Sequence, residues 1–322
     1  MVTDMKRFSS NSVQSGIDYV RSIVRFMLFW GVLLTCSCNR LDVVGMFYTE
    51  SAGSDERFAQ SQEYNSTHGF DTVLVAQDNY RVYIMTDIHV DNTTINLDTF
   101  TSAYLEDADA APFCLCLGDL INGKGYQPKF LAYVDRIRAA GRQVYCTPGN
   151  HDIYFGQWNV YRDYWHTSSY YFVVQTPSGL QDMYICLDSS NGTLGAAQRA
   201  WLEKVLQEAG TAGYRHIVCF THTHLWKKDQ SQGHTSNFAL EETYDLADLF
   251  SRYGVELVLQ GHSHHRNLTR FKNVLYLRLD KMQDHYYNSF YTILTAGTDF
   301  SWQYVAVGPQ HEGYNEVKIE GR

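Results

Sequence analysis

Val82-Tyr83-Ile84-Met85-Thr86-Asp87-Ile88-His89 sets the reading of the whole chain. Val82–Thr86 is a short apolar run of the kind that forms a strand buried on both faces. It ends on a carboxylate and an imidazole two residues apart. On an extended backbone such residues point the same way, so Asp87 and His89 can reach one point or straddle two. The same construction recurs down the chain. Phe113–Leu117 leads to Gly118-Asp119, and Gln143–Thr147 to Gly149-Asn150-His151-Asp152. His216–Thr221 leads to His222-Thr223-His224, and Val255–Gln260 to Gly261-His262-Ser263-His264. Met183–Leu187 is a further strand-like run.

Helical spacing falls between these runs, at Pro128–Ala140, Ala196–Glu208 and Leu240–Tyr253. Beyond residue 268 the pattern is strands alone: Asn273–Leu279, Tyr286–Thr295 and Ser301–Val307. Alternating strands and helices followed by strands predict one α/β domain with two sheets and outer helices. In open α/β sheets ligand sites gather at the carboxyl ends of strands, so the five polar segments are expected to converge. Carboxylates, imidazoles and one amide form a mixed oxygen and nitrogen donor set. That set suits Mn, Fe or Zn better than Ca²⁺, which takes oxygens only. The glycines at 118, 149 and 261 are expected to let the backbone turn sharply and approach the metals.

Asp-x-His, Gly-Asp, Gly-Asn-His-Asp, His and Gly-His-x-His, in that order and each after an apolar strand, resemble the calcineurin-like metallophosphoesterase superfamily. The resemblance runs from about Val82 to His264, with trailing strands to about Gly308. It implies a four-layer α/β/β/α sandwich of two mixed sheets flanked by helices. It also implies two divalent or trivalent transition-metal ions. Asp87, His89 and His264 would hold one, Asn150, His222 and His262 the other, and Asp119 would bridge both. The implied chemistry is hydrolysis of phosphate mono- or diesters by a metal-bridging hydroxide. Two cations about 3.5–4 Å apart clamp the attacking and leaving oxygens of an in-line displacement. His151 would sit beside the substrate and protonate the leaving oxygen. Cleavage of a nucleotide or nucleotide-sugar pyrophosphate is an alternative, as is a non-catalytic binding lipoprotein on the same fold.

Two departures from the family pattern matter. Many members carry an acid three residues after the Gly-Asp aspartate, where this chain has Asn122, so His151 is left to Asn122 or Asp152 for orientation. The purple acid phosphatase branch has Tyr there and Asp-x-Gly in the first motif, so Asn122 and His89 exclude an iron–tyrosinate colour. His224 and His265 are candidates to orient the ligands. Trp226 and Lys227, in the insert Leu225–Asn237, are candidate substrate contacts. The aromatic stretch Tyr154, Trp158, Tyr161, Tyr164 and Trp165 either walls a pocket or forms a local core under its loop.

Arg21 and Arg25 precede the apolar run Phe26–Leu34, which leads to Thr35-Cys36-Ser37-Cys38. Basic residues, a short apolar stretch and small residues form an export signal with a bacterial-type lipobox, lipidated at Cys38 or Cys36. The run is short for a membrane span, which needs about 20 apolar residues. The expected organisation is a signal over 1–38, a linker with a short helix over 39–80, the domain over 81–308 and a tail over 309–322. The helix is expected to start at a Ser54 cap and reach about Asn65. The expected product is an exported protein held at the membrane by its lipid alone. A net charge of −9 argues against a nucleic-acid partner and fits a small phosphorylated substrate held by metals. Cys114, Cys116, Cys146, Cys186 and Cys219 lie in apolar runs without CxxC spacing and read as free core thiols.

Overall fold

The computed structural model describes residues 53–226 and 237–309. The export signal with Cys36 and Cys38, the first part of the linker, Lys227 and most of the tail lie outside them. The described strands form two mixed sheets laid face to face. In chain order these are β1 (Thr72–Leu74), β2 (Tyr80–Met85), β3 (Ala110–Cys116), β4 (Gln143–Cys146), β5 (Tyr170–Gln175) and β6 (Gln181–Leu187). Then come β7 (His216–Thr221), β8 (Leu257–Gln260), β9 (Asn267–Phe271), β10 (Val274–Arg278), β11 (Phe290–Ala296) and β12 (Phe300–Ala306). One sheet runs β1-β5-β6-β7-β8-β10-β9 and the other β12-β11-β2-β3-β4.

Period-two burial explains the layering. Val82, Ile84, Phe113, Leu115 and Leu294 from one sheet meet Tyr184, Phe220, Leu257, Leu259 and Leu277 from the other. The alternate residues Tyr83, Met85, Cys114 and Cys116 face outward under α2 (Ile95–Glu106) and α3 (Gln127–Ala139). On the other outer face Ile185, Cys219 and Val258 lie under α5 (Ala196–Ala212) and α6 (Leu240–Arg252). The four layers are therefore those expected, and the five described cysteines are buried free thiols.

Short or half-exposed elements are absent from the sequence reading: β1, β5, β9, α2 and α4 (Trp158–Trp165). β1 and β9 lie at sheet edges, where too little is buried to need a continuous apolar run, whereas β5 sits between β1 and β6, and its run Tyr170–Val174 was legible. The strand expected at Tyr286–Thr295 starts only at Phe290, because residues 284–289 turn aside to pack on α2.

The described part of the expected linker is integral to the fold. Its helix, α1, spans Ser54–His68, with Gly53 and not Ser54 at the N-cap position. Arg57 on α1 is fully buried, and its Nε and Nη2 donate to Asp188 at 2.8 and 2.9 Å. Three residues later in the chain, β1 adds a parallel edge to the larger sheet beside β5. Polar composition concealed this role, because the buried face is Arg57, Ser61 and Asn65 with one aromatic, Phe58, against Trp201.

Candidate metal centre

All five polar segments meet at the carboxyl ends of β2, β3, β4, β7 and β8. Asp87, His89, Asp119 and His264 offer donor atoms within 4.8 Å of one another, and so do Asp119, His222 and His262. Asp119 Oδ2 belongs to both sets, 3.5 Å from His89 Nε2 and 3.3 Å from His222 Nε2. His264 Nε2 stands 3.2 Å from His89 Nε2 and 3.3 Å from Asp87 Oδ1. His222 Nε2 stands 3.2 Å from Asn150 Oδ1 and 3.1 Å from His262 Nδ1.

The paired ligands do not converge by extended backbone, as the spacing argument supposed. Asp87 (φ 49°), His89 (φ 47°), Asp119 (φ 53°), His262 (φ 72°) and His264 (φ 60°) all lie in the left-handed region. That region is uncommon for side-chain-bearing residues and is sustained where the surroundings over-determine it. The glycines act mainly by letting loops touch. A Cβ on Gly118 would lie 2.4 Å from Gly149 N, and one on Gly149 would lie 2.2 Å from Asp119 Oδ1.

Each carboxylate is held by one oxygen and presents the other. Asp87 Oδ2 accepts from Thr86 Oγ1 at 2.7 Å and from His262 N at 2.9 Å. Its Oδ1 is buried with no hydrogen-bond partner. Asp119 Oδ1 accepts from His151 N at 2.9 Å, leaving Oδ2 for the shared position. His222 Nδ1 donates to Leu117 O at 2.7 Å, which leaves Nε2 as the nitrogen that enters the cluster. An orphaned carboxylate oxygen among imidazole nitrogens aimed at one another fits cations of the Mn, Fe or Zn type.

The electrostatics agree. Burial alone would raise the carboxyl of Asp87, but His264 beside it holds it well below the usual range. Burial also opposes the charge on Asp119, and His222 overcomes it. Burial would lower His222, yet the charge of Asp119 lifts it to about 10. His89 and His262 are pulled down to about 4, chiefly by burial. The pocket thus concentrates negative charge on two carboxylates and keeps two imidazoles neutral.

His151 lies beside the candidate ligands without joining them. Its ring stands edge-on to His89, 4.6 Å between centroids, outside both donor sets. Asp152 does not orient that ring. Its carboxylate accepts from Asp119 N, Leu120 N and Gly149 N at 2.8, 3.0 and 2.8 Å and so ties two ligand loops together. Burial and the neighbouring Asp119 charge raise it to about 7. Asn122 is exposed. His224 is buried behind His262, with ring centroids 5.7 Å apart. His265 is exposed and its Nδ1 turns to the carbonyl of His264 at 2.6 Å. Trp226 is core, tilted against Phe271 and edge-on to Tyr276, and takes no part in the cluster. Trp158 and Tyr161 are core under their loop, bonded to Gln60 and Cys146.

A profile of the calcineurin-like phosphoesterase family matches residues 80–266, more than half of the chain. The chain belongs to the calcineurin-like phosphoesterase family. Its matched domain is that of the metal-dependent phosphoric ester hydrolases. The chain is also similar to the manganese-dependent ADP-ribose/CDP-alcohol diphosphatase of Arabidopsis thaliana, 34% identical over 91 residues, 28% of this chain and 27% of that protein. It therefore spans about a quarter of the length of that curated relative. Two solved structures share the fold. A dimetal phosphatase from Danio rerio aligns at TM-score 0.53 and 11% identity, over 70% of this chain and 95% of its own. GAP50, the anchor in the inner membrane complex of Plasmodium, aligns at 0.55 and 12%, over 76% and 90%.

The sequence reading missed Thr86, which orients Asp87, and Asn237, whose amide contacts His262 Nε2. It also missed Asp188, which holds Arg57 and the loop below His222. Thr86 adjoins a ligand and was legible in principle. Asn237 and Asp188 come from distant positions with no motif.

Proposed function

We propose that this chain hydrolyses phosphate mono- or diesters outside the cytoplasm. Two transition-metal ions would be held by Asp87, His89 and His264 on one side and Asn150, His222 and His262 on the other. The observation that carries the reading is Asp119 Oδ2, common to both donor sets. Such a pair of ions, when bound, polarises phosphoryl oxygens and lowers the pKa of water. Asp119 then neutralises charge at the shared position, and Asp87 does so on one side. His151 stands free of the ligands and is available to hand a proton to the departing oxygen. The alternative, cleavage of a nucleotide or nucleotide-sugar pyrophosphate, is favoured by the similarity to a diphosphatase.

Export and lipidation at Cys38 or Cys36 rest on the sequence of the N-terminus alone. Replacing both by Ser should release the protein from the membrane fraction or stall its processing, and unchanged membrane association counts against the anchor. The catalytic reading is tested by elemental analysis after reconstitution with Mn²⁺ or Zn²⁺, with a screen of monoesters, diesters and nucleotide diphosphates. Two ions per chain and metal-dependent turnover are expected. Absence of bound metal defeats the reading.

A further inference from the structure

Residues 279–289 belong to none of the ligand motifs, yet they are stitched into them. Leu279 N donates to Gln260 O at 2.8 Å and Met282 N to Thr86 O at 3.0 Å. Those two carbonyls lie just before Gly261-His262-Ser263-His264 and Asp87-Ile88-His89. Lys281 is therefore carried between the loops that supply Asp87, His89 and His264. The rest of the segment is held as firmly. Asp284 accepts from Ile95 N and Asn96 N at 2.9 and 2.8 Å, and Asn96 Nδ2 donates to Gln283 O at 3.0 Å.

Lys281 is only 9% exposed, and among the described residues its ammonium has no hydrogen bond or ion pair. Nζ lies 5.2 Å from the ring centre of Tyr286, which is half exposed. The adjacent acid, Asp280, is engaged elsewhere, accepting from the backbone N–H and the guanidinium of Arg266. Lysine is seldom so buried unless paired; here the stem is covered and the ammonium tip keeps contact with solvent, open to an anionic ligand. Burial accordingly lowers its pKa, while Asp280 and Asp87 work against that. Its charge reaches His264 in turn. Beside a site for two cations with only Asp87 and Asp119 to balance them, this ammonium adds positive charge. The arrangement suits a ligand with more negative charge than a single phosphate diester carries.

We propose that Lys281 binds a second phosphate of the substrate, next to the scissile one, with the Tyr286 ring alongside, so that diphosphate-linked substrates are preferred. The proposal rests on the hydrolase reading above and narrows its substrate class.

The test compares the metal-loaded full chain with Lys281→Met, which keeps the apolar stem, and Lys281→Arg, which keeps the charge. Two rates are measured, on ADP-ribose and on bis(p-nitrophenyl) phosphate. Affinities for inorganic pyrophosphate and orthophosphate are measured by calorimetry, and bound metal by elemental analysis. A charge-assisted hydrogen bond predicts a fall of about 10–100-fold in the kcat/KM ratio of the first substrate to the second. Most of that loss should lie in KM, and Arg should recover part of it. Pyrophosphate affinity should fall relative to orthophosphate by a similar factor, with two metals still bound. Equal losses on both substrates, or an unchanged pyrophosphate-to-orthophosphate ratio, would overturn the proposal. If the wild-type chain hydrolyses neither substrate, the hydrolase reading fails, and the two affinities still decide the role of Lys281. Metal loss in Lys281→Met but not in Lys281→Arg would show a structural role and overturn it as well.

Discussion

His222 and His264 serve opposite halves of one cluster and are supported in different ways. His222 is fully buried, and its Nδ1 is tied to Leu117 O. Beneath it, Ser189 Oγ bonds Thr221 Oγ1 at 2.6 Å and accepts from Thr223 N at 2.8 Å. Next to Ser189, Ser190 Oγ donates to Pro148 O at 3.1 Å, two residues before Asn150. That scaffold hangs from Asp188 and hence from Arg57 on α1. The His264 side chain is 34% exposed, and its half of the cluster faces the Lys281 segment instead. A polar net rooted in the N-terminal helix backs the His222 half. The segment that carries Lys281, bound through its backbone to Gln260 and Thr86, backs the His264 half. Solvent reaches the cluster on the His264 side, where that imidazole is partly exposed.

Removing what the two halves share should have the largest effect. Asp119→Ala should abolish measurable turnover and empty both positions together, because one carboxylate serves both donor sets. Retention of one metal at full occupancy would show that the halves are independent. His151→Ala should lower kcat by about 10²–10⁴-fold with both metals bound. The loss should shrink for p-nitrophenyl esters, whose leaving group needs little protonation. An equal loss on good and poor leaving groups would assign His151 to charge stabilisation instead.

Arg57→Met tests the deep scaffold. It leaves Asp188 buried without its cation, so a loss of about 3–5 kcal/mol is expected in urea unfolding. Metal titration should show the His222 position weakened more than the His264 position. Uniform weakening would sever the link between α1 and the His222 half. The smallest effect is on acid stability. Burial opposes the charge on Asp188, but Arg57 wins and holds its pKa below the usual value. A carboxyl depressed by folding stabilises the fold above its unfolded pKa, and that stability fades as pH falls through the folded value. Wild type should therefore lose stability below about pH 4 more steeply than Asp188→Asn, in unfolding curves taken across that range. Parallel curves would mean that folding leaves the pKa of Asp188 unchanged.

Much of this was written in local order. Buried strands such as His216–Thr221 are continuous apolar runs, and each leads to a candidate donor, so the strands and the seven candidate donors that the fold brings together were readable without a structure. Ligand identity is a matter of residue type, and type is what a sequence states directly. The geometry that joins those ligands was not readable. Left-handed turns at Asp87, His89, His262 and His264 replaced the extended pairs that spacing suggested, because loops packed on one another set the backbone there. Asp152 proved to bind three backbone N–H groups, Arg57 to be a buried strut, Trp226 to be core and Lys281 to have no ion pair among the described residues. The sequence by itself determined which side chains could hold cations and that strands would carry them. Only the tertiary structure decided which polar groups lie behind them, since that depends on contacts between residues such as Arg57 and Asp188, 131 positions apart.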